Sequence, residues 1–187
     1  MARTVAPAGN FPVALAGLGW LIASAPSFQL WVGASGEDAA TQALAHVSFD
    51  ADDTEESGST RPRAIIDVAE GGWSEEKVSL QNFRPSIKLL VSFEDYPAAD
   101  IEAETPREDR LWDEKLAFAN NVQAVVADCE ALQGSGSGYV SGISHITTAQ
   151  WRLAGGPCAV QETRAEGQQG ETPDYFYGLI MEVDIHG

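Results

Sequence analysis

The last stretch of the chain alternates between apolar and polar positions. From Tyr175 onward, apolar or aromatic residues occupy every second position, and glycine, charged residues or histidine stand between most of them. The apolar set is Tyr175, Tyr177, Leu179, Met181, Val183 and Ile185, and the other set includes Gly178, Glu182, Asp184 and His186. A period of two is typical of a strand with one buried face. We predict a terminal strand that is paired into the main sheet, because chain ends fray unless something holds them.

A second pattern, with helical spacing, runs through the middle of the chain. The segment Thr105–Glu108 has the features of a helix start, with a capping threonine, a proline at the first helical position and a glutamate that closes the capping box. Apolar residues then form one stripe up to Gly134, namely Leu111, Phe118, Val122, Val125, Cys129 and Leu132. This spacing predicts one helix of about 27 residues that packs across the sheet.

Shorter apolar runs indicate further strands. Three of them are Arg63–Ala69, Lys77–Leu80 and Ile87–Phe93, and Gly71 and Gly72 are predicted to form a turn between the first two. Glycine-containing connections favour an antiparallel meander. Tyr139–Leu153 is predicted to be another strand, with Trp151 as an aromatic anchor.

The N-terminal part, residues 1–35, is an apolar extension in which Phe11–Ser35 contains no charged residue. Ala23–Ala25 has the small-x-small form of a signal-peptidase site. Prolines and glycines interrupt the apolar run, however, and a membrane span needs roughly 20 unbroken apolar residues. We therefore expect a short buried helix over Val13–Ala25. A second short helix is expected over Glu37–Val47, because its first residues are acidic and suit a helix N-terminus.

Two polar segments are predicted to be surface loops, an acidic loop at 50–61 and a long polar loop at 154–174. The carboxylates of the first loop fail the calcium-loop pattern, because the positions that require glycine and glutamate hold Glu55 and Arg61. With 187 residues, the chain is long enough for one buried core. We predict a single domain, 1–187, of the α+β class. A mainly antiparallel sheet of about four to six strands would pack against one long helix, with short N-terminal helices.

Charge narrows the possible functions. The chain has 28 acidic and 11 basic residues and a formal net charge of −17. Proteins that bind nucleic acid specifically neutralise phosphates with Lys and Arg, so this excess of acidic residues argues against a sequence-specific DNA- or RNA-binding protein. The two cysteines, Cys129 and Cys158, are too few for a disulfide scaffold.

No catalytic motif is present in the sequence, and we expect neither an enzyme nor a bound cofactor or metal. The nucleotide-binding, metalloprotease and hydrolase signatures are missing. A nucleophilic pair of His145 with Cys129 or Cys158 is conceivable, but nothing in the sequence brings these residues together. Glu94 and Asp95 could act as acid–base carboxylates, although exposed charges at a strand end are the commoner explanation.

The order of these elements resembles the tail terminator (tail completion) proteins of long-tailed bacteriophages, the lambda-type minor tail protein family. The matching landmarks are Arg61–Asp67 and Ile87–Phe93 as strands, Leu111–Leu132 as the packing helix, Gly142–Ile146, and Tyr175–Val183 as the final strand. The resemblance extends from about Glu37 to the end of the sequence and is one of pattern, since the family has no diagnostic motif. The N-terminal extension departs from it.

The resemblance implies a structural virion protein that is assembled in the host cytoplasm. It implies a homohexameric ring that caps the tail tube and joins it to the head-tail connector. The partners would then be other copies of this chain, the tail tube protein and the connector or neck protein. DNA would pass through an acidic channel without specific binding, and no membrane is involved. The candidate interface residues are Phe28, Leu30, Trp31, Val32, Asp52, Asp53, Glu55, Glu56, Trp151, Gln161, Glu162, Tyr175 and Tyr177.

Other functions also fit the residues. Another neck or tail-tube component is one alternative. An acidic binding module that docks a basic protein partner through its loops is a second, and a metal-dependent hydrolase is a third. Ring formation would distinguish the structural virion protein from the binding module and the hydrolase.

Overall fold

The computed structural model describes residues 11–49, 62–77, 83–95, 107–134, 148–154, 159–163 and 174–186. The helices of this part are α1 (Phe11–Ser24), α2 (Pro26–Trp31), α3 (Ala39–Leu44) and α4 (Arg107–Gly134). Its strands are β1 (Val47–Ser48), β2 (Arg63–Lys77), β3 (Phe83–Asp95), β4 (Thr148–Leu153), β5 (Ala159–Thr163) and β6 (Asp174–His186). The predicted α+β class, with one long helix and short N-terminal helices, is confirmed.

The strands form one mixed, mostly antiparallel sheet in the order β1-β2-β3-β6-β4, with β5 also paired to β6. The terminal strand β6 lies inside this sheet, because β3 pairs with one of its sides and β4 and β5 with the other. The prediction that the terminal strand is built into the main sheet is therefore confirmed. The one parallel pair in the described sheet is β1 with β2, where Val47 is opposite Ala64 and Ser48 opposite Ile65.

The side of β6 away from β3 is covered by two collinear pieces of strand. Leu153 of β4 is opposite Met181, and Ala159 of β5 is opposite Gly178. Both pieces run antiparallel to β6, and the backbone N–H of Ala154 donates to the carbonyl of Ile180 between them. The prediction of an unbroken loop over 154–174 was wrong, because β5 and the first residue of β6 fall within it. The strand predicted over Tyr139–Leu153 is present from Thr148, and its earlier part lies outside the described residues.

The predicted turn at Gly71 and Gly72 was also wrong. Both glycines lie within β2, which continues to Lys77 opposite Phe83. The register shifts between Val68, opposite Leu89, and Trp73, opposite Ile87. The glycines therefore lie at an irregularity in a long strand, where glycine commonly occurs.

Alternation along β3 and β6 separates the two faces of the sheet. The helix-covered face of the sheet is defined here by the side chains that join the main core cluster, namely Ala64, Ile66, Leu89, Val91, Phe93, Tyr177 and Val183. The opposite face carries the intervening side chains, among them Arg63, Lys88, Glu94, Arg152, Glu182 and Asp184. The predicted apolar face of the terminal strand is confirmed at the positions whose side chains are described.

The helices complete the core on one side of the sheet. In α4 the predicted stripe is confirmed, because Phe118, Val122, Val125 and Cys129 are buried and Leu132 packs against them. Helix α1 is also confirmed as a buried helix, with Leu18, Leu21 and Ile22 fully buried. It lies so close to the residue that follows β1 that a Cβ added at Gly19 would stand 2.8 Å from Cζ of Phe49.

Two N-terminal details differ from the prediction. The helix expected over Glu37–Val47 is restricted to α3, and Val47 belongs to β1, where its β-branched side chain is buried in the core. The second difference is α2, which the sequence patterns did not predict. The first ten residues and the acidic loop at 50–61 lie outside the described residues.

Candidate functional site

Helix α2 contains most of the aromatic segment Phe28–Val32, whose residues Phe28, Leu30, Trp31 and Val32 were predicted to lie at a subunit interface. Pro26 stands in its first turn, where the fixed φ of proline suits a helix start, and Ala25 before it is extended. Phe28 and Trp31 are three residues apart and therefore project from one side of the helix. Phe28 is fully buried, whereas Leu30 is 82% exposed. The helix thus divides the predicted interface segment into a buried side and an exposed one.

The buried side of α2 enters an aromatic cluster, defined as Phe28, Trp31, Phe93, Phe118 and Tyr177. The Trp31 ring lies 5.6 Å from Phe118, 6.3 Å from Phe28 and 6.4 Å from Phe93, measured between ring centroids. Phe118 in turn lies 5.9 Å from Tyr177. Such edge and offset contacts add to the hydrophobic gain of burial. The cluster therefore joins α2, β3, α4 and β6 of one chain.

Polar contacts at the rim of the aromatic cluster fix its orientation. The indole Nε1 of Trp31 donates a hydrogen bond of 2.9 Å to Oδ2 of Asp95. The hydroxyl of Tyr177 donates one of 2.6 Å to Oε2 of Glu114. Tyrosine and tryptophan usually place their polar atom on a partner when the ring is buried, and here each partner is a carboxylate.

A third carboxylate holds the start of α2. The backbone N–H of Ser27 donates to Oδ2 of Asp128 over 2.7 Å. The first amides of a helix have no partner within the helix, and a side-chain oxygen commonly accepts from them. Here the acceptor comes from α4 instead of the residue that precedes the helix. The N-terminal extension is therefore bound to the body of its own chain.

These contacts correct part of the predicted interface. Phe28 and Tyr177 are buried within their own chain and are not surface residues. Trp31 and Val32 are partly buried and pack against the same core. The aromatic residues that suggested an interface pack in the core instead. Helical periodicity would have indicated this only if α2 had been recognised as a helix.

Other predicted interface residues remain at the surface or lie on outer strands. Leu30 is exposed. Trp151 is partly buried against the core, and its Nε1 makes no hydrogen bond to any residue that the structure describes. Gln161 and Glu162 belong to β5, where Glu162 is opposite Tyr175. Asp52, Asp53, Glu55 and Glu56 lie outside the described residues.

The opposite face of the sheet carries a buried ion pair between neighbouring strands. Nη2 of Arg63 lies 2.6 Å from Oε2 of Glu94, and Nε of Arg63 donates to the same oxygen over 2.8 Å. Each side chain is 11% exposed. Glu94 was expected to be an exposed charge at a strand end, and this was wrong, because cross-strand pairing places it directly opposite Arg63. The pair joins β2 to β3 at this position of the register.

A second group of charges, the charge quartet of Lys88, Arg152, Glu182 and Asp184, spans β3, β6 and β4. Arg152 donates to Glu182 over 2.8 Å and also contacts Asp184. Nζ of Lys88 lies 3.7 Å from Glu182 and 3.9 Å from Asp184. Both cations are about half exposed, whereas the side chain of Asp184 is 9% exposed. Two cations balance two carboxylates, so the quartet adds no net charge to this face.

The candidate nucleophile Cys129 is poorly suited to chemistry. Its side chain is fully buried in the core, and its Sγ lies 3.9 Å from the carbonyl oxygen of Leu21. Burial, with a smaller contribution from the charges of Asp128 and Glu130, raises the pKa of the thiol far above its ordinary value. The thiol therefore stays protonated and unreactive. His145 and Cys158, the proposed partners, lie outside the described residues.

Asp95, the other acid–base candidate, and the ring of His46 both have structural contacts. Asp95 accepts the hydrogen bond from Trp31. Nδ1 of His46 lies 2.8 Å from the carbonyl oxygen of Pro62, next to the parallel pairing of β1 with β2. In the part of the chain that the structure describes, no three His, Cys, Asp or Glu side chains are grouped in a way that could hold a metal ion. Over the same residues, no helix is both long and apolar enough to cross a membrane.

Sequence reasoning missed the ion pairs of the opposite face. Arg63 and Glu94 are 31 positions apart, and Arg152 and Glu182 are 30 apart. Only the strand register brings them together, and a single sequence does not display register. Opposite charges on the polar positions of predicted neighbouring strands were the available signal.

Comparison with known proteins does not assign this chain to a family, since no protein-family model and no curated protein matches it.

Proposed function

We propose that this chain is a structural virion protein, a tail terminator of a long-tailed bacteriophage. Six copies form a ring that caps the finished tail tube and joins it to the head-tail connector. The tube protein and the connector are its partners, and DNA passes through the ring without specific binding. The protein performs no catalysis in this role.

The observation that carries the proposal is the order and pairing of the elements. Short helices and the two-residue strand β1 precede the antiparallel strands β2 and β3, and the long helix α4 is followed by β4, β5 and the final strand β6. The tail-terminator resemblance, which begins at about Glu37, implies antiparallel strands, then a long helix packed on them, then further strands; it does not include α1 and α2. In support, β6 is located between β3 and the β4–β5 pair, and α4 contributes its apolar stripe to the common core.

The two outer sides of the sheet offer a route to assembly. On one side, no described strand accompanies β2 between Val68 and Lys77. On the other side the outer strands are the short pieces β4 and β5. Sheet edges pair readily with strands of another chain. Since the two edges differ, a contact between them is head-to-tail, and such contacts close into a ring when the rotation allows it.

Leu30 supports a contact that involves α2. Its side chain is almost fully exposed, although its neighbours Phe28 and Trp31 are anchored in the aromatic cluster. A rigidly held, exposed leucine loses little conformational entropy when it is covered by a partner. Leu30 is therefore the interface candidate from the aromatic segment that a neighbouring copy can reach.

The charge of the chain suits a passage for DNA. A net charge of −17 per copy repels the phosphate backbone, so the DNA slides past the wall without binding to it. The same charge opposes self-association at low ionic strength, because copies of like charge repel one another. Assembly is therefore expected to strengthen as salt is added.

The test is the native mass of the protein by light scattering, at two concentrations about a hundredfold apart and at two salt concentrations. We compare the natural chain with Leu30→Glu, in which a charge is placed at the proposed contact. The matched control is Thr41→Glu, an exposed position on the short helix α3. The proposal predicts a mass of six copies for the natural chain and for the control, and a reduced mass for Leu30→Glu.

The other outcomes have distinct meanings. If Leu30→Glu still assembles into six copies, the ring is supported but Leu30 is not part of its interface. A natural chain that stays monomeric but binds a basic protein would favour the acidic binding module. An assembly of a different copy number would favour another neck or tail-tube component.

A further inference from the structure

We draw no further inference here: the strongest candidate, the exposed and uncharged surface patch on α4 between Leu116 and Ala127, is a stripe of mostly small residues, and nothing in the structure shows what covers it.

Discussion

The two faces of the sheet use the same strands but hold the fold together by different means. On the helix-covered face, Phe93 and Tyr177 enter the aromatic cluster with residues from α2 and α4. On the opposite face, the neighbouring position Glu94 pairs with Arg63, and Glu182 and Asp184 pair with Arg152. One face therefore joins two layers of structure, whereas the other aligns adjacent strands.

The two faces are therefore expected to contribute differently, one mainly to the free energy of unfolding and the other mainly to the correct alignment of the strands. Burial of aromatic side chains contributes several kcal/mol in total to the free energy of unfolding. A packed core also tolerates some substitutions that conserve its volume. An ion pair contributes little net stability, because the loss of hydration offsets the attraction, but an unpaired buried charge is costly. We expect the helix-covered face to supply most of the free energy of unfolding, and the opposite face to disfavour wrong strand alignments.

The largest expected effect is on the helix-covered face. Phe118→Ala removes the ring that touches both Trp31 and Tyr177. We expect the free energy of unfolding in urea to fall by about 3–5 kcal/mol, the usual cost of a phenylalanine cavity. The control is Leu116→Ala on the same helix, where the leucine is 47% exposed and the expected loss is below about 1 kcal/mol. Equal losses in the two variants would show that the aromatic cluster is not the centre of the core.

The next largest effect is expected from the buried ion pair. Arg63→Met removes the guanidinium that pairs with the buried carboxylate of Glu94, and we expect a loss of about 3 kcal/mol. The double variant Arg63→Met/Glu94→Leu removes both charges and is expected to recover most of that loss. Urea unfolding of the two variants measures the difference. A double variant as unstable as the single one would mean that the charges are not the cause.

A smaller effect is expected at the rim of the aromatic cluster. Tyr177→Phe keeps the ring but removes the hydroxyl that donates to Glu114. The expected loss is about 1.5 kcal/mol, the lower end of the usual range for a hydrogen bond to a charged group. A double-mutant cycle with Glu114→Ala isolates the pair, and a coupling energy near zero would contradict the contact.

The smallest effect is expected from the exposed part of the charge quartet. Arg152 is 55% exposed, and Lys88 remains near both carboxylates when Arg152 is replaced. We expect Arg152→Ala to cost about 0.2–1 kcal/mol at low salt, since exposed pairs contribute little. Added salt should reduce this loss by screening, while the loss in Phe118→Ala should be unaffected. Equal salt sensitivity of the two variants would remove the distinction between the faces.

The parts of the fold that could be predicted are those where one pattern dominates a long segment. The stripe of α4 repeats over several turns, and the alternation of β6 covers most of its length, so each pattern identified its element. The α+β class followed from these two elements and the strand signals between them.

The errors occurred where local signals were short or pointed to a different structure. Helix α2 has six residues, too few for a helical period to appear, and its aromatic residues suggested a surface contact. Gly71 and Gly72 are typical of a turn, but pairing with β3 keeps them within β2. Glycines and polar residues around β5 hid a strand that is held by its pairing with β6.

The candidate assembly surface was predicted least well. Phe28 and Tyr177 belong to the core, and Leu30 is the exposed member of its segment. Exposure depends on which side of α2 faces α4, and that orientation comes from tertiary contacts such as the one between Ser27 and Asp128. A sequence pattern identifies apolar residues more readily than it identifies what covers them.

The most direct test of the central claim, ring assembly, is electron microscopy of the purified natural chain in negative stain. The protein should be imaged at a concentration and salt level that favour association. We expect closed rings whose averaged views have six-fold symmetry. Single-copy particles or open chains under all of these conditions would contradict it.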